Sequence, residues 1–104
     1  MIIQFNTGHN IPATQELQQK FTDLISVELE RFSSMITRIE VHLTDVDGKK
    51  DGFNDKRCLL EARLEKRQPI AVKNMGNTHE EAVTGAIDKL KSALDTITGR
   101  LKEH

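Results

Sequence analysis

Any chemistry in this chain must come from four histidines, one cysteine and a carboxylate-rich loop. His9, His42, His79 and His104 are too scattered for a zinc motif, and His79-Glu80-Glu81 has no second histidine four residues on to complete a metal-binding helix. His79 therefore reads as a solvent-facing residue of a first helical turn. His42 reads as a cross-strand surface residue to which sequence assigns no carboxylate partner. Cys58 shares a strand face with Leu60 and Leu64. That makes it a buried, inert thiol, because a nucleophilic thiolate needs exposure and positive surroundings. Counted as a calcium loop from Asp47, the chain has Gly52 in the right place. Lys49, however, sits at a ligand position and Cys58 stands where the closing glutamate belongs. Neither phosphate-cradling glycine motif occurs. No metal, cofactor, catalytic residue or small-molecule substrate is expected, and an enzyme is the weakest class.

Binding is the stronger class, and charge is its test. The chain has 15 Lys plus Arg against 16 Asp plus Glu, a formal net of −1. A nucleic-acid binder usually carries a basic excess, so the case rests on where the cations lie. They fall in two zones. The first is Arg38, Lys49, Lys50, Lys56, Arg57, Arg63, Lys66, Arg67 and Lys73; the second is Lys89, Lys91, Arg100 and Lys102. Glu40, Asp51, Asp55, Glu61 and Glu65 interleave with the first zone, as on an ordinary cross-strand-paired surface. Cations late in a helix also complement its dipole.

The elements that must position these groups follow from period and capping. Met1 to Asn6 alternates as a short strand, and Thr7-Gly8-His9-Asn10 is turn chemistry before Pro12. Thr14 caps a helix in which Leu17, Phe21, Leu24, Ile25 and Leu29 form the apolar stripe, ending near Phe32 where Ser33-Ser34 breaks it. Ile36 to Asp45 alternates, with Ile39, Val41 and Leu43 inward and Arg38, Glu40, His42 and Thr44 outward. A hairpin loop follows over Asp47–Gly52. Lys56 to Glu65 alternates again, with Cys58, Leu60, Ala62 and Leu64 inward and Arg57, Leu59, Glu61 and Arg63 outward. After a Lys66-Arg67 turn, Gln68 to Asn74 is a strand that Pro69 marks as an edge. Thr78 with Glu81 has capping-box spacing, and Val83, Ala86, Ile87, Leu90, Ala93, Leu94, Ile97 and Leu101 form the stripe of the last helix.

The order is β-α-β-β-β-α in one domain, residues 1–104. Four half-apolar strands and two amphipathic helices bury most surface as an α+β two-layer sandwich with both helices on one sheet face. The first crossover makes the first two strands parallel, and hairpins join the rest. A chain of 104 residues buries roughly two-thirds of its unfolded surface this way. No apolar run approaches the roughly 20 residues of a membrane span. The N-terminus does not have the pattern of a signal peptide. With a single cysteine, these features predict a cytoplasmic protein without a membrane partner.

Thr7-Gly8-His9-Asn10-Ile11, Thr14 and Leu17, the three-strand meander, and Ala86-Ile87-Asp88-Lys89-Leu90 together resemble the ribosome hibernation-promoting factor and ribosome-associated inhibitor family. The resemblance covers essentially the whole chain, and its length is that of the short form. It implies a fold similar to a double-stranded-RNA-binding domain. It also implies a non-catalytic translation regulator that binds the RNA channel of the small ribosomal subunit under stress or in stationary phase. Lys89 matches the family's lysine in the last helix and Arg31 a basic position late in the first. Glu28, Ser92 and Thr96 stand where the family is basic. The RNA-binding set expected on these grounds is Lys89, Arg31, Lys91, Arg100, Lys20, Arg38, Arg57 and Arg63, with the small-subunit ribosomal RNA as partner. The alternative is a divergent member that binds protein, as a homodimer or a stress regulator without ribosome binding. Near-neutral charge and an outward Leu59 motivate it.

Overall fold

The computed structural model describes residues 1–7, 14–45 and 56–102, with the side chains of residue 7 and residues 100–102 left aside. Of the turn expected over Thr7–Asn10, Thr7 ends the first strand; its other residues and the hairpin loop with Lys49 and Lys50 lie outside the described residues, as do His9 and His104. Thr14 Oγ1 accepts the Leu17 amide at 3.1 Å and starts α1 (Gln15–Glu28). The apolar stripe continues past the helix, but its geometry changes. Leu29 leaves helical dihedrals at φ −107° and ψ 15°, and a 3₁₀ turn covers Glu30–Phe32. The single helix expected to reach Phe32 is thus corrected to a helix plus a tighter turn. The physical reason is alignment: residues three apart eclipse in a 3₁₀ turn, so Phe32 drops into the core beside Leu29, both buried.

The strands are β1 (Ile2–Thr7), β2 (Ile36–Asp45), β3 (Lys56–Leu64) and β4 (Ile70–Gly76), followed by α2 (His79–Lys102). They form one sheet in the order β1-β2-β3-β4. β1 runs parallel to β2, and β2–β3 and β3–β4 are antiparallel, as the order of elements requires. β4 starts two residues later than periodicity alone suggests. Pro69 has no N–H to give the ladder, so pairing begins at Ile70 opposite Ala62. Strict alternation along β2 also fails at one point. Register shifts between Ile36 and Arg38, where Thr37 bulges and its Oγ1 donates to the Arg63 carbonyl at 3.1 Å. The extra residue turns Ile36 onto the core face together with Ile39, Val41 and Leu43.

Both helices cover that one face. A single core joins Phe21 and Ile25 of α1, and Leu29 just after it, to Cys58, Leu60 and Ala62 of β3 and to Val83, Ile87, Leu90 and Leu94 of α2. The cap of α2 is reciprocal: the Glu81 amide donates to Thr78 Oγ1 at 3.0 Å, and Glu81 Oε1 accepts the Asn77 amide at 3.0 Å. Within α2, Ala82 joins the expected stripe as a buried residue, while Ala93 and Ile97 are half-buried. Among the described residues no helix is long and apolar enough to cross a membrane.

One glycine fixes how α2 lies on the sheet edge. The Asn74 side-chain amide donates to the carbonyls of Glu81 and Ala82, each at 3.3 Å. A Cβ at Gly85 would stand 2.0 Å from Asn74 Nδ2. Glycine to alanine inside a helix normally stabilises by about 1 kcal/mol. Gly85→Ala is expected to destabilise by about 1–2 kcal/mol instead, because it ejects the amide from its two acceptors. Adding Asn74→Ala removes the obstacle, so chemical denaturation of the double variant should show a cost below the sum of the two singles.

Cys58 is fully buried between core leucines, and desolvation pushes its thiol from an ordinary 9.0 up to about 12. The unfolded chain therefore releases this proton first. The thiol's contribution is intact below pH 9 and is lost as pH rises toward 12. The slope is about −1.4 kcal/mol per pH unit in that window. Urea unfolding at pH 8 and pH 10 should show wild type losing about 1.4 kcal/mol more than Cys58→Ala over that interval.

Candidate nucleic-acid interface

The cations expected to meet RNA separate into two populations. On the helix side Lys20, Arg31 and Lys91 are paired. Lys20 Nζ lies 3.2 Å from Glu80 Oε1, and Lys91 Nζ 2.9 Å from Glu28 Oε1. Arg31 grips Asp95 through both terminal nitrogens, at 2.9 and 3.1 Å, with its guanidinium 4.3 Å from the centre of the Phe32 ring. The pairs climb both chain segments together, from 20 with 80 to 28 with 91 to 31 with 95. α1 and α2 therefore run side by side in the same direction. Glu28, at a position where the resemblance implied a basic residue, spends its charge on Lys91. These are partly exposed pairs, individually worth no more than about 1 kcal/mol. A phosphate approaching any of the three cations nevertheless meets a carboxylate already in place.

The outer sheet face carries the second population. Arg38 binds Glu40 through Nε at 3.2 Å and donates to Gln4 Oε1. Its neighbours at the sheet centre are acidic: Glu40 stands directly opposite Glu61 across the β2–β3 ladder. His42 lies between them, with Nε2 3.7 Å from Glu40 Oε1 and 3.4 Å from Glu61 Oε1. The carboxylate partners that sequence does not assign to His42 are therefore these two. Glu40 is legible as a same-face neighbour at spacing two, whereas Glu61 comes only with strand register.

Toward β4 the charge changes sign. Arg57, Arg63, Lys66, Arg67, Lys73 and Lys89 make no ion pair among the described residues. Arg57 is steadied by Thr44, its Nε donating to Oγ1 at 3.3 Å. Arg57 and Lys73 line one open groove with His42, Thr44, Leu59 and Ala71. Lys89 reaches from α2 to donate to the Lys73 main-chain carbonyl at 2.9 Å. Lys89, Lys73 and Arg57 thus form a continuous run from the last helix over the β4 edge onto the sheet. Arg63 lies six residues along β3 from Arg57, roughly 20 Å away, next to the Lys66-Arg67 turn. A lysine on an edge strand also discourages pairing with another strand, so Lys73 has a structural reason to be there as well.

Of the eight expected residues, the structure brings Lys89 and Arg57 to this margin, leaves Arg63 without an ion pair among the described residues roughly 20 Å along β3, and ties Lys20, Arg31, Lys91 and Arg38 to carboxylates. The Arg100 side chain lies outside the described residues. Lys73, which is not in the expected set, stands at the same margin. Its outward alternation on β4 was readable, but its contact with Lys89 required the packing of α2. Leu59 does point outward as expected, half-buried between Arg57 and Glu61. It is set in the groove rather than standing alone.

Comparison with known proteins agrees with this architecture. The chain resembles the Thermus thermophilus Protein Y N-terminal domain with a TM-score of 0.73 and 18% identity, over 93% of this chain and 99% of that one. It resembles a ribosomal subunit interface protein from Coxiella burnetii with a TM-score of 0.64 and 17% identity, over 95% and 99%. At such identities the likeness speaks for the fold. No curated protein sequence matches the chain. The profile of sigma 54 modulation protein / S30EA ribosomal protein matches residues 6–102, nearly the whole sequence. With the β-α-β-β-β-α order, the parallel first strand pair and the helices on one face all in agreement, the chain belongs to the sigma 54 modulation / S30EA ribosomal protein family.

Proposed function

We propose that this protein is a non-catalytic, cytoplasmic translation regulator that docks on small-subunit ribosomal RNA and holds ribosomes idle under stress or in stationary phase. Family membership supports the ribosome as its place of work. The observation that carries the RNA contact is the run of Lys89, Lys73 and Arg57, cations that no carboxylate neutralises among the described residues. Phosphate contact by such a strip reads backbone shape rather than base sequence, which suits folded RNA. The whole chain, residues 1–104, acts as one domain in this reading.

Co-sedimentation with purified small subunits across a salt series tests it. Binding should appear at low salt, and log affinity should fall linearly with log salt. Three phosphate contacts correspond to a slope of about −2 to −3. No association at low salt would end this reading. The ion pairs that occupy Lys20, Arg31 and Lys91 favour a second one, in which the chain acts on a protein partner or as a homodimer. Light scattering that shows mass rising with protein concentration, unchanged by added RNA, would support that alternative.

A further inference from the structure

We propose that Glu40, His42 and Glu61 form a binding site for a divalent transition-metal ion on the outer face of the sheet, for which zinc serves as the probe. Glu40 and His42 sit two apart on β2, so their side chains leave the same face, and β3 places Glu61 directly opposite Glu40. One oxygen from each carboxylate and one imidazole nitrogen lie within 4.8 Å of one another. The His42 Nε2 distances are 3.7 Å to Glu40 Oε1 and 3.4 Å to Glu61 Oε1. Tetrahedral zinc with bonds of 2.0–2.1 Å separates its donors by about 3.3–3.4 Å. Both imidazole–carboxylate edges are therefore within a few tenths of an ångström of a bound geometry. Glu61, the more exposed carboxylate, is free to close the third edge.

Two further observations point to a cation. Like charges directly opposite on adjacent strands destabilise a sheet, yet Glu40 and Glu61 face each other, with the His42 ring against both and Arg38 on the other oxygen of Glu40. In addition, His42 Nε2 is sealed from solvent and makes no hydrogen bond, and the groups it faces among the described residues are the two carboxylates. Arg38 is the competing charge. It holds Glu40 Oε2 at 3.2 Å while itself fixed by Gln4, which turns Oε1 toward His42, as outer-shell groups orient ligands in known sites. One nitrogen and two oxygens fit zinc or a similar borderline ion better than calcium, which takes six to eight oxygens. Three protein ligands leave a coordination position open to solvent. The site stands whether or not the chain meets a ribosome.

Isothermal titration of the chelator-treated full chain with zinc chloride tests the proposal. One equivalent should bind, with saturable heat. His42→Gln and Glu61→Gln should each weaken it at least about tenfold, while His79→Gln leaves it unchanged. Thermal melts without zinc establish that each variant folds. Independently of any variant, nitrogen NMR of the wild-type histidines should show zinc moving the His42 Nε2 resonance. Absence of stoichiometric binding, binding that survives both substitutions, or an unmoved His42 Nε2 would overturn the site. Arg38 and the His42 ring would then be the only groups that separate the two glutamates among the described residues.

Discussion

Reversing charge at Lys73 and Lys89 together is expected to weaken binding to small ribosomal subunits by about a hundredfold at low salt. Each ammonium–phosphate attraction removed is taken as roughly 1.4 kcal/mol, or tenfold. These two are chosen because the structure brings them to the same margin: Lys89 Nζ rests 2.9 Å from the Lys73 main-chain carbonyl. Both side chains are exposed, and the fold should survive the change. The salt slope of the double variant should be shallower than that of wild type by about 2. Arg31→Ala provides the contrast. Asp95 already holds that guanidinium through two of its nitrogens, and the loss should stay below about threefold, the scale of a surface pair. If Arg31→Ala matched the double reversal, the interface would lie on the helix face and the β4 margin would not touch the RNA.

Truncating Leu60 is the largest expected effect on stability. Leu60 is fully buried on β3, paired with Val41 of β2 on one side and Val72 of β4 on the other. It belongs to the same core as Ile87 and Leu90 of α2. Leu60→Ala removes buried methyl groups and leaves a cavity walled by rigid sheet neighbours, for an expected cost of about 2–5 kcal/mol. Domains of this size are held together by roughly 5–15 kcal/mol, so the variant should melt many degrees earlier. Leu59→Ala, one residue away on the outer face and half-exposed, should cost about 1 kcal/mol or less because it takes a smaller apolar area out of packing. The pair reads out the alternation of the strand directly. Equal losses at the two positions, measured by denaturant unfolding, would mean that the inward face of β3 is wrongly assigned.

Local rules made much of this protein legible in its sequence. Alternation in β2 and β3, the Thr14 and Thr78 caps and the 3.6-residue stripes depend on neighbours within a few positions. These gave the element order, and with it the two-layer packing and the parallel first strand pair. They also gave the inert Cys58, since it alternates in phase with the inward Leu60 and Leu64. Three features escaped. The Thr37 bulge and the 3₁₀ turn before Ser33 are places where packing of Ile36 and Phe32 overrode a regular period. The late start of β4 follows from a hydrogen bond that Pro69 cannot make.

Charge was the least legible property, because its effect depends on distances across the fold. Composition gives 15 cations and 16 anions but no pairing. Folding brings Lys20, Arg31 and Lys91 to carboxylates sixty or more residues away. It also brings Lys89 beside Lys73 and sets His42 between two glutamates. The order of residues along the chain settles which ones turn toward the core and which toward water. The folded chain alone settles which of the water-facing charges remain open to a partner, because Coulomb attraction acts between neighbours in space and falls off with distance and screening, whatever their order along the backbone.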